Sequence, residues 1–209
     1  MKNNIVVFGG TFNPLSKAHG QILKEVGKKV DASKLILVPT DCSFLKSWKN
    51  FSSNQILSTS LRLQILDEFK KHNKNVEISK VEIDKISSKT YTTLKYLKQE
   101  NPSSNIYFIM GSEKLNELGK WYKIDDLLSE FKIVIVKRNN DDISLLIKDN
   151  EYYNKYKDSF IFYNSKDEYQ NISSTKIREL INSKDYDNLN KYTYNYIVRI
   201  LKQGVSYEI

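Results

Sequence analysis

Short, β-branched apolar runs alternate along this chain with longer stretches whose apolar residues recur at helical spacing. Ile5-Val6-Val7-Phe8, Leu35-Ile36-Leu37-Val38, Ile106 to Met110, Phe131 to Val136 and Phe160 to Tyr163 read as strands. Near-continuous runs of this kind suit strands buried on both faces of a parallel sheet. Between them, Ile22, Leu23, Val26 and Val30 predict a helix beginning near Lys17, and Leu61, Leu63, Ile65, Leu66 and Phe69 predict one capped by Ser58 or Thr59. Ser88 to Thr93 enters a further helix carrying Leu94 and Leu97, Asp142 to Tyr156 reads as helical, and short helices are expected from Tyr186 onward. Val76-Glu77-Ile78 and Val81-Glu82-Ile83 alternate as exposed or edge strand segments. Strand, helix, strand makes a parallel βαβ unit. The expectation is an α/β fold, an open parallel sheet flanked by helices, forming a single domain over 1–209 with a small helical part at about 173–209.

Composition narrows the class. At 209 residues the chain has room for one substantial core, and 40% hydrophobic with 28% charged residues is a globular balance. The net charge of +8 comes from 33 Lys and Arg against 25 Asp and Glu, with a pI near 9.2. Lysines are spread through every segment with no basic run, which reads as a solvated surface and not a nucleic-acid face. Cys42 is the only cysteine, which excludes an intramolecular disulfide or a cysteine-built metal site. The N-terminus enters a strand directly, and no apolar stretch approaches the ~18 residues of a membrane span. A cytoplasmic protein without a membrane partner is expected.

The chemistry is concentrated where the first strand breaks. Gly9-Gly10 lets backbone approach a ligand closely, and the helix that follows presents free N–H groups and a positive dipole end, an anion site by construction. A second polar helix start, Ile172-Ser173-Ser174-Thr175-Lys176-Ile177-Arg178, supplies hydroxyls and, one turn later, the donor fork of an arginine. No Walker A sequence, G-x-G-x-x-G, zinc spacing or Ser-His-Asp order occurs. His72 has no motif around it and reads as a surface residue.

Gly9-Gly10-Thr11-Phe12-Asn13-Pro14-Leu15-Ser16-Lys17-Ala18-His19 resembles the G-[TS]-F-[DN]-P-x-[HT]-x-x-H signature of the nucleotidyltransferase superfamily, and Ile172 to Arg178 resembles its I-S-S-T-x-I-R motif. The resemblance implies a Rossmann-like sheet and catalysis by His19, with Ser16 and Arg178 assisting through charge and hydrogen bonding. Ser16 stands where bacterial members usually have His, and Asn13 where they have Asp. By the same likeness ATP would meet Gly9, Gly10, Thr11, Phe12, His19, Gly111, Glu113, Arg138, Ser173, Ser174, Thr175 and Arg178. Glu113 replaces an aspartate of the family.

The middle of the chain points within that superfamily to the nicotinate-nucleotide adenylyltransferases. Ser88 to Thr93 resembles S-Y-T-x-D-T, and Gly111 to Leu128 resembles G-[AG]-D-x-L-x-x-L-x-x-W-x-x-x-x-x-L. The likeness implies that Thr90 and the backbone N–H of Tyr122 meet the pyridine carboxylate, that Trp121 stacks on the pyridine ring, and that Asn13 and Lys46 also serve the acceptor. Helix capping for Thr90, core packing for Trp121 and an exposed loop position for Lys46 are the structural alternatives. Trp48 and Phe51 would cover ligand or anchor the loop. Arg62 falls on a family arginine, although a solvated surface arginine explains it nearly as well. The implied reaction joins nicotinate mononucleotide to the adenylyl group of ATP, with Mg²⁺ carried by the phosphates and no metal bound by protein side chains. Nicotinamide mononucleotide as acceptor, or a weakened nucleotide-binding homologue, are the competing readings, and a homo-oligomer is compatible with all three.

Overall fold

The computed structural model describes residues 3–43, 55–137, 147 and 150–207. Its centre is a six-stranded, all-parallel sheet built from β1 (Asn3–Gly10), β2 (Ala32–Pro39), β3 (Val76–Ile78), β4 (Ser104–Gly111), β5 (Lys132–Lys137) and β6 (Phe160–Asn164). The spatial order is β3-β2-β1-β4-β5-β6. Register is set by apolar pairs such as Val6 with Leu35 on one side and Val6 with Tyr107 on the other.

Side chains along each strand alternate between two cores. Val6, Phe8, Leu35, Leu37, Ile109 and Val134 face one, together with α1 (Lys17–Lys29) and α2 (Thr59–Lys71). Ile5, Val7, Ile36, Val38, Phe108 and Ile133 face the other, with α3 (Thr90–Glu100), α4 (Leu115–Leu118) and α5 (Ile124–Glu130). A sheet covered on both faces cannot alternate polar and apolar residues, which is why its strands read as continuous apolar runs. Three further pieces, α6 (Glu151–Lys155), α7 (Asp167–Gln170) and α8 (Ser174–Asn182), flank β6, and α9 (Asn195–Gln203) follows. Ile177, Leu180, Ile181, Leu189, Ile197, Val198 and Leu201 join the first core, so the C-terminal helices share it with the sheet.

Two expectations shift. Val81-Glu82-Ile83 is a turn and not a strand, because Asp84 N–H donates to Lys80 and Ile86 N–H to Val81, closing local bonds that leave nothing for a ladder. Of the predicted helix from Asp142 to Tyr156, residues 142–146, 148 and 149 lie outside the described part and α6 accounts for 151–155. Elsewhere the helix starts agree, with Ser58 capping α2 through its bond from Leu61 N–H.

The sheet order reverses beside β1, since β1 lies between β2 and β4, whose chain connections run to opposite sides. In open parallel sheets the ligand crevice forms outside the strand C-termini at such a reversal. Here those ends are Gly10 and Gly111.

Candidate active site

The turn leaving β1 is folded around an aromatic floor. Phe12 adopts φ 41°, which turns its ring back under the loop, where it is wholly buried and meets His19 edge-on with centroids 5.4 Å apart. Phe8 closes the same cluster, 5.7 Å from Phe12 and 5.9 Å from His19. Gly10 suits this packing, because a Cβ there would sit 3.1 Å from two carbons of the Phe12 ring and press on it.

On that floor α1 begins with a reciprocal cap. Ser16 is the N-cap, its hydroxyl accepting from His19 N–H at 3.3 Å, while His19 Nδ1 accepts from Ser16 N–H at 3.1 Å. Ser16 Oγ also lies 2.9 Å from Nδ1. A backbone N–H can only donate, so Nδ1 is the acceptor nitrogen and the neutral ring carries its proton on Nε2. The half-buried His19 therefore presents a donor from the first turn of a helix, where the dipole also favours anions.

Asn13 locks the turn from below. Its side chain donates to Gln55 C=O at 2.9 Å and accepts from Leu57 N–H at 2.8 Å, and the Asn13–Pro14 peptide is cis. An amide does both at any pH, whereas an ionised carboxylate would face the Gln55 carbonyl without a proton. Arg62, wholly buried on α2, donates to Thr11 C=O and Thr40 C=O, each at 2.9 Å, and to Cys42 Sγ at 3.0 Å. It thereby ties the ends of β1 and β2 together, with no carboxylate within ion-pair distance among the described residues.

The second motif lands on the same turn. Ser174 donates to Pro14 C=O at 2.7 Å and Arg178 to Asn13 C=O at 2.8 Å, joining residues 160 and 165 positions apart. Ser173 caps α8 by accepting from Lys176 N–H, and the exposed Thr175 accepts from Arg178 at 3.2 Å. Desolvation pulls the pKa of Arg178 below the usual arginine value, partly countered by Glu179. A partly desolvated guanidinium is one whose charge an incoming phosphate would compensate.

Across β4 the remaining candidates line up. The Glu113 carboxylate folds onto Gly111, in the space that a Cβ would need. Trp121 is half-buried and edge-on to Phe108, with centroids 6.3 Å apart, and Phe108 in turn packs beside Gly9. Tyr122 is 50% exposed, its ring near Tyr91 and Lys123. Thr90 is the first residue of α3, whose N-cap is Lys89 with no side-chain cap. Thr90 is half-buried, and its side chain makes no hydrogen bond among the described residues.

These positions correct several expectations. Ser16 and Phe12 are wholly buried and Asn13 is 2% exposed, and in this arrangement their side chains hold the cap, the aromatic floor and the turn. Thr90 does not cap α3. Arg62 is not a surface residue, and its signal was present in the sequence: 62, 65, 66 and 69 share the apolar face of one helix. His72 is exposed and stacks on Tyr196 at 4.1 Å, as a surface residue. Lys46, Trp48, Phe51 and Arg138 lie outside the described residues. Among the described residues, no group of three or more His, Cys, Asp or Glu side chains is placed to hold a metal, and no helix is long and apolar enough to cross a membrane.

Comparison with known proteins places the chain in a family. The cytidylyltransferase-like family model matches residues 7–180. The probable nicotinate-nucleotide adenylyltransferase of Fusobacterium nucleatum is 34% identical over 87% of this chain and 89% of its own. That of Endomicrobium trichonymphae is 30% identical over 94% and 97%. A solved structure of the Plasmodium falciparum nicotinic acid mononucleotide adenylyltransferase complexed with NaAD has a TM-score of 0.72 at 20% identity, covering 96% of this chain and 95% of that one, a likeness of fold. Matched by the family model over most of its length and by full-length relatives, the chain belongs to the cytidylyltransferase-like nucleotidyltransferases, in the nicotinate-nucleotide adenylyltransferase family.

Proposed function

We propose that this protein transfers the adenylyl group of ATP to nicotinate mononucleotide, releasing pyrophosphate and forming deamido-NAD. An oxygen of the mononucleotide phosphate attacks the α-phosphorus, a new P–O bond forms, and the bond to the β-phosphate oxygen breaks. No protein nucleophile is needed, so the enzyme's contribution is alignment and neutralisation of charge. The observation that carries the reading is the pairing of two helix starts on one turn: His19, oriented by Ser16, on α1, and Ser174 with Arg178 on α8, bonded to Pro14 and Asn13.

In this reading His19 donates from Nε2 to the phosphates, and Arg178 and the Ser173–Thr175 helix start neutralise the leaving pyrophosphate. Gly9, Gly10 and Thr11 supply close backbone, and Gly111 with Glu113 borders the ribose. Trp121 stacks on the pyridine while Thr90, the uncapped first turn of α3 and Tyr122 N–H receive its carboxylate. Lys46 and Arg138 keep the roles implied by the family likeness. A divalent ion, Mg²⁺ in our proposal, would arrive bound to the ATP phosphates and supply further charge neutralisation. We further propose that residues 1–209 act as one cytoplasmic domain.

The test is pyrophosphate release from ATP with nicotinate mononucleotide, nicotinamide mononucleotide or neither. Release with the acid at a kcat/KM at least about tenfold above the amide is expected, since an amide leaves donors unpaired at about 1–3 kcal/mol each. Equal values would transfer the assignment to the amide acceptor, and no release with either would leave a nucleotide-binding homologue.

A further inference from the structure

Behind Thr90 a chain of hydroxyls runs to a half-buried glutamate, Glu82, that the proposed reaction does not use. Thr93 Oγ1 lies 3.2 Å from Glu82 Oε1 and 3.0 Å from Ser87 Oγ, and Ser87 Oγ contacts Thr92 Oγ1. Both ends of that pair reach Lys89 C=O, Thr92 at 2.8 Å and Ser87 at 3.2 Å. Lys89 is the N-cap of α3, and its carbonyl also accepts from Thr93 N–H at 2.9 Å. Ser87 and Thr93 are themselves buried. At the other end, Glu82 is bonded by the Thr40 side chain, whose own carbonyl is held by Arg62.

Each hydroxyl carries one hydrogen, so such a chain has a direction. With Glu82 ionised, Thr93 must donate to the carboxylate and accept from Ser87, which draws the hydrogens away from Lys89 C=O. With Glu82 protonated, Thr93 is released to donate to Ser87, and of the Ser87–Thr92 pair one hydrogen lies between the two oxygens while the other turns onto Lys89 C=O. The carbonyl one residue before Thr90 is then held by a hydroxyl as well as a backbone N–H.

We infer that Glu82 is a positioning residue for the acceptor subsite, its proton setting the direction of the hydroxyl chain under Thr90 and so the affinity for a carboxylate-bearing acceptor. The inference rests on the proposed role of Thr90. Two effects act with the same sign: protonation tightens the turn that carries Thr90, and it removes a negative charge from behind a site meant for an anion. Burial pushes the Glu82 carboxyl up to about 7, hydrogen bonds from Thr93 and Thr40 offset this in part, and Asp41 adds repulsion. Asp41, at the end of β2, is itself held below its ordinary value: burial opposes this, and hydrogen bonds from Ser43 with the charges of Lys85 and Arg62 outweigh it. The groups facing it from α3 and from the loop before that helix are neutral, the Thr93 and Ser87 hydroxyls. Glu82 is then the group in this cluster whose charge changes near neutral pH.

The experiment is KM for nicotinate mononucleotide and for ATP as a function of pH, in the unmutated protein and in Glu82→Gln, whose amide keeps the shape and can donate as the protonated acid does. In the unmutated protein, KM for nicotinate mononucleotide is expected to rise about three- to tenfold as pH passes upward through neutrality, the size of one partly screened charge. Glu82→Gln is expected to flatten that rise, while the pH dependence of KM for ATP is the same in both proteins. An acceptor KM with no such rise, a rise retained in Glu82→Gln, or an equal change for ATP overturns the inference and leaves the reaction standing. Absence of pyrophosphate release with nicotinate mononucleotide overturns both.

Discussion

Ser16 and His19 hold each other: the Ser16 N–H donates to His19 Nδ1 at 3.1 Å while His19 N–H donates to Ser16 Oγ at 3.3 Å. The pair caps α1 and selects the tautomer of the imidazole in the same stroke. Ser16→Ala is therefore expected to lose about 1 kcal/mol of stability with the cap, and to lower kcat by about tenfold through a less ordered ring. Ser16→Thr, which keeps the hydroxyl, should recover most of both. Denaturant titration and steady-state kinetics check this, and a kcat untouched in Ser16→Ala would show that the Ser16 backbone alone orients the ring.

His19→Ala is expected to lower kcat by about 10²–10³ while KM for ATP changes little, because a donor matched to the transition state contributes mainly there. The variant must be shown folded, since the ring also packs on Phe8 and Phe12. Unchanged turnover in a folded variant would remove His19 from the mechanism.

Trp121 and Thr90 should separate affinity from choice. Stacking on indole serves a pyridine ring whichever substituent it carries, so Trp121→Ala should weaken acid and amide acceptors by similar factors. Thr90→Val removes a donor to the carboxylate and should narrow the ratio of their kcat/KM values by about tenfold. Competition kinetics with both mononucleotides reads the two effects independently.

Asn13→Asp replaces the donor to Gln55 C=O by a second acceptor. A loss of about 1–3 kcal/mol at neutral pH is expected, diminishing in acid where the new carboxyl can donate. Equal stability of the two proteins across pH would mean that the Gln55 bond contributes nothing.

Glu82 also predicts a pH dependence of stability. Its carboxyl is raised from 4.5 to about 7 by burial, so the folded state binds the proton more tightly than the unfolded chain. The corresponding stability is fully present below about pH 4.5 and is lost as pH rises through about 7. Between those limits Glu82→Gln should gain about 1–3 kcal/mol relative to the unmutated protein, measured as the difference of their denaturant midpoints.

What the sequence determined by itself was set by periodicity and by local chemistry. Five strands and most helix starts follow from whether apolar residues run together or recur every third or fourth position, and Gly-Gly, Asn-Pro and Ser-x-x-His mark their own turn and cap. Family likeness then pointed to His19, Ser174 and Arg178. Tertiary structure decided how these residues are placed and what each one holds. Ser16, Phe12 and Asn13 sit inside the motif yet are buried, because a turn at the end of a parallel strand must satisfy its own backbone before it can offer any to a ligand. Val81-Glu82-Ile83 alternates like a strand but closes on itself, since β3 is already the edge partner of β2 and pairing continues no further. The contacts of Arg178 with Asn13, and of Glu82 with Thr93, lie 165 and 11 residues apart in the chain. No local pattern encodes such pairs, because they exist only once the sheet has brought the strand ends to one side.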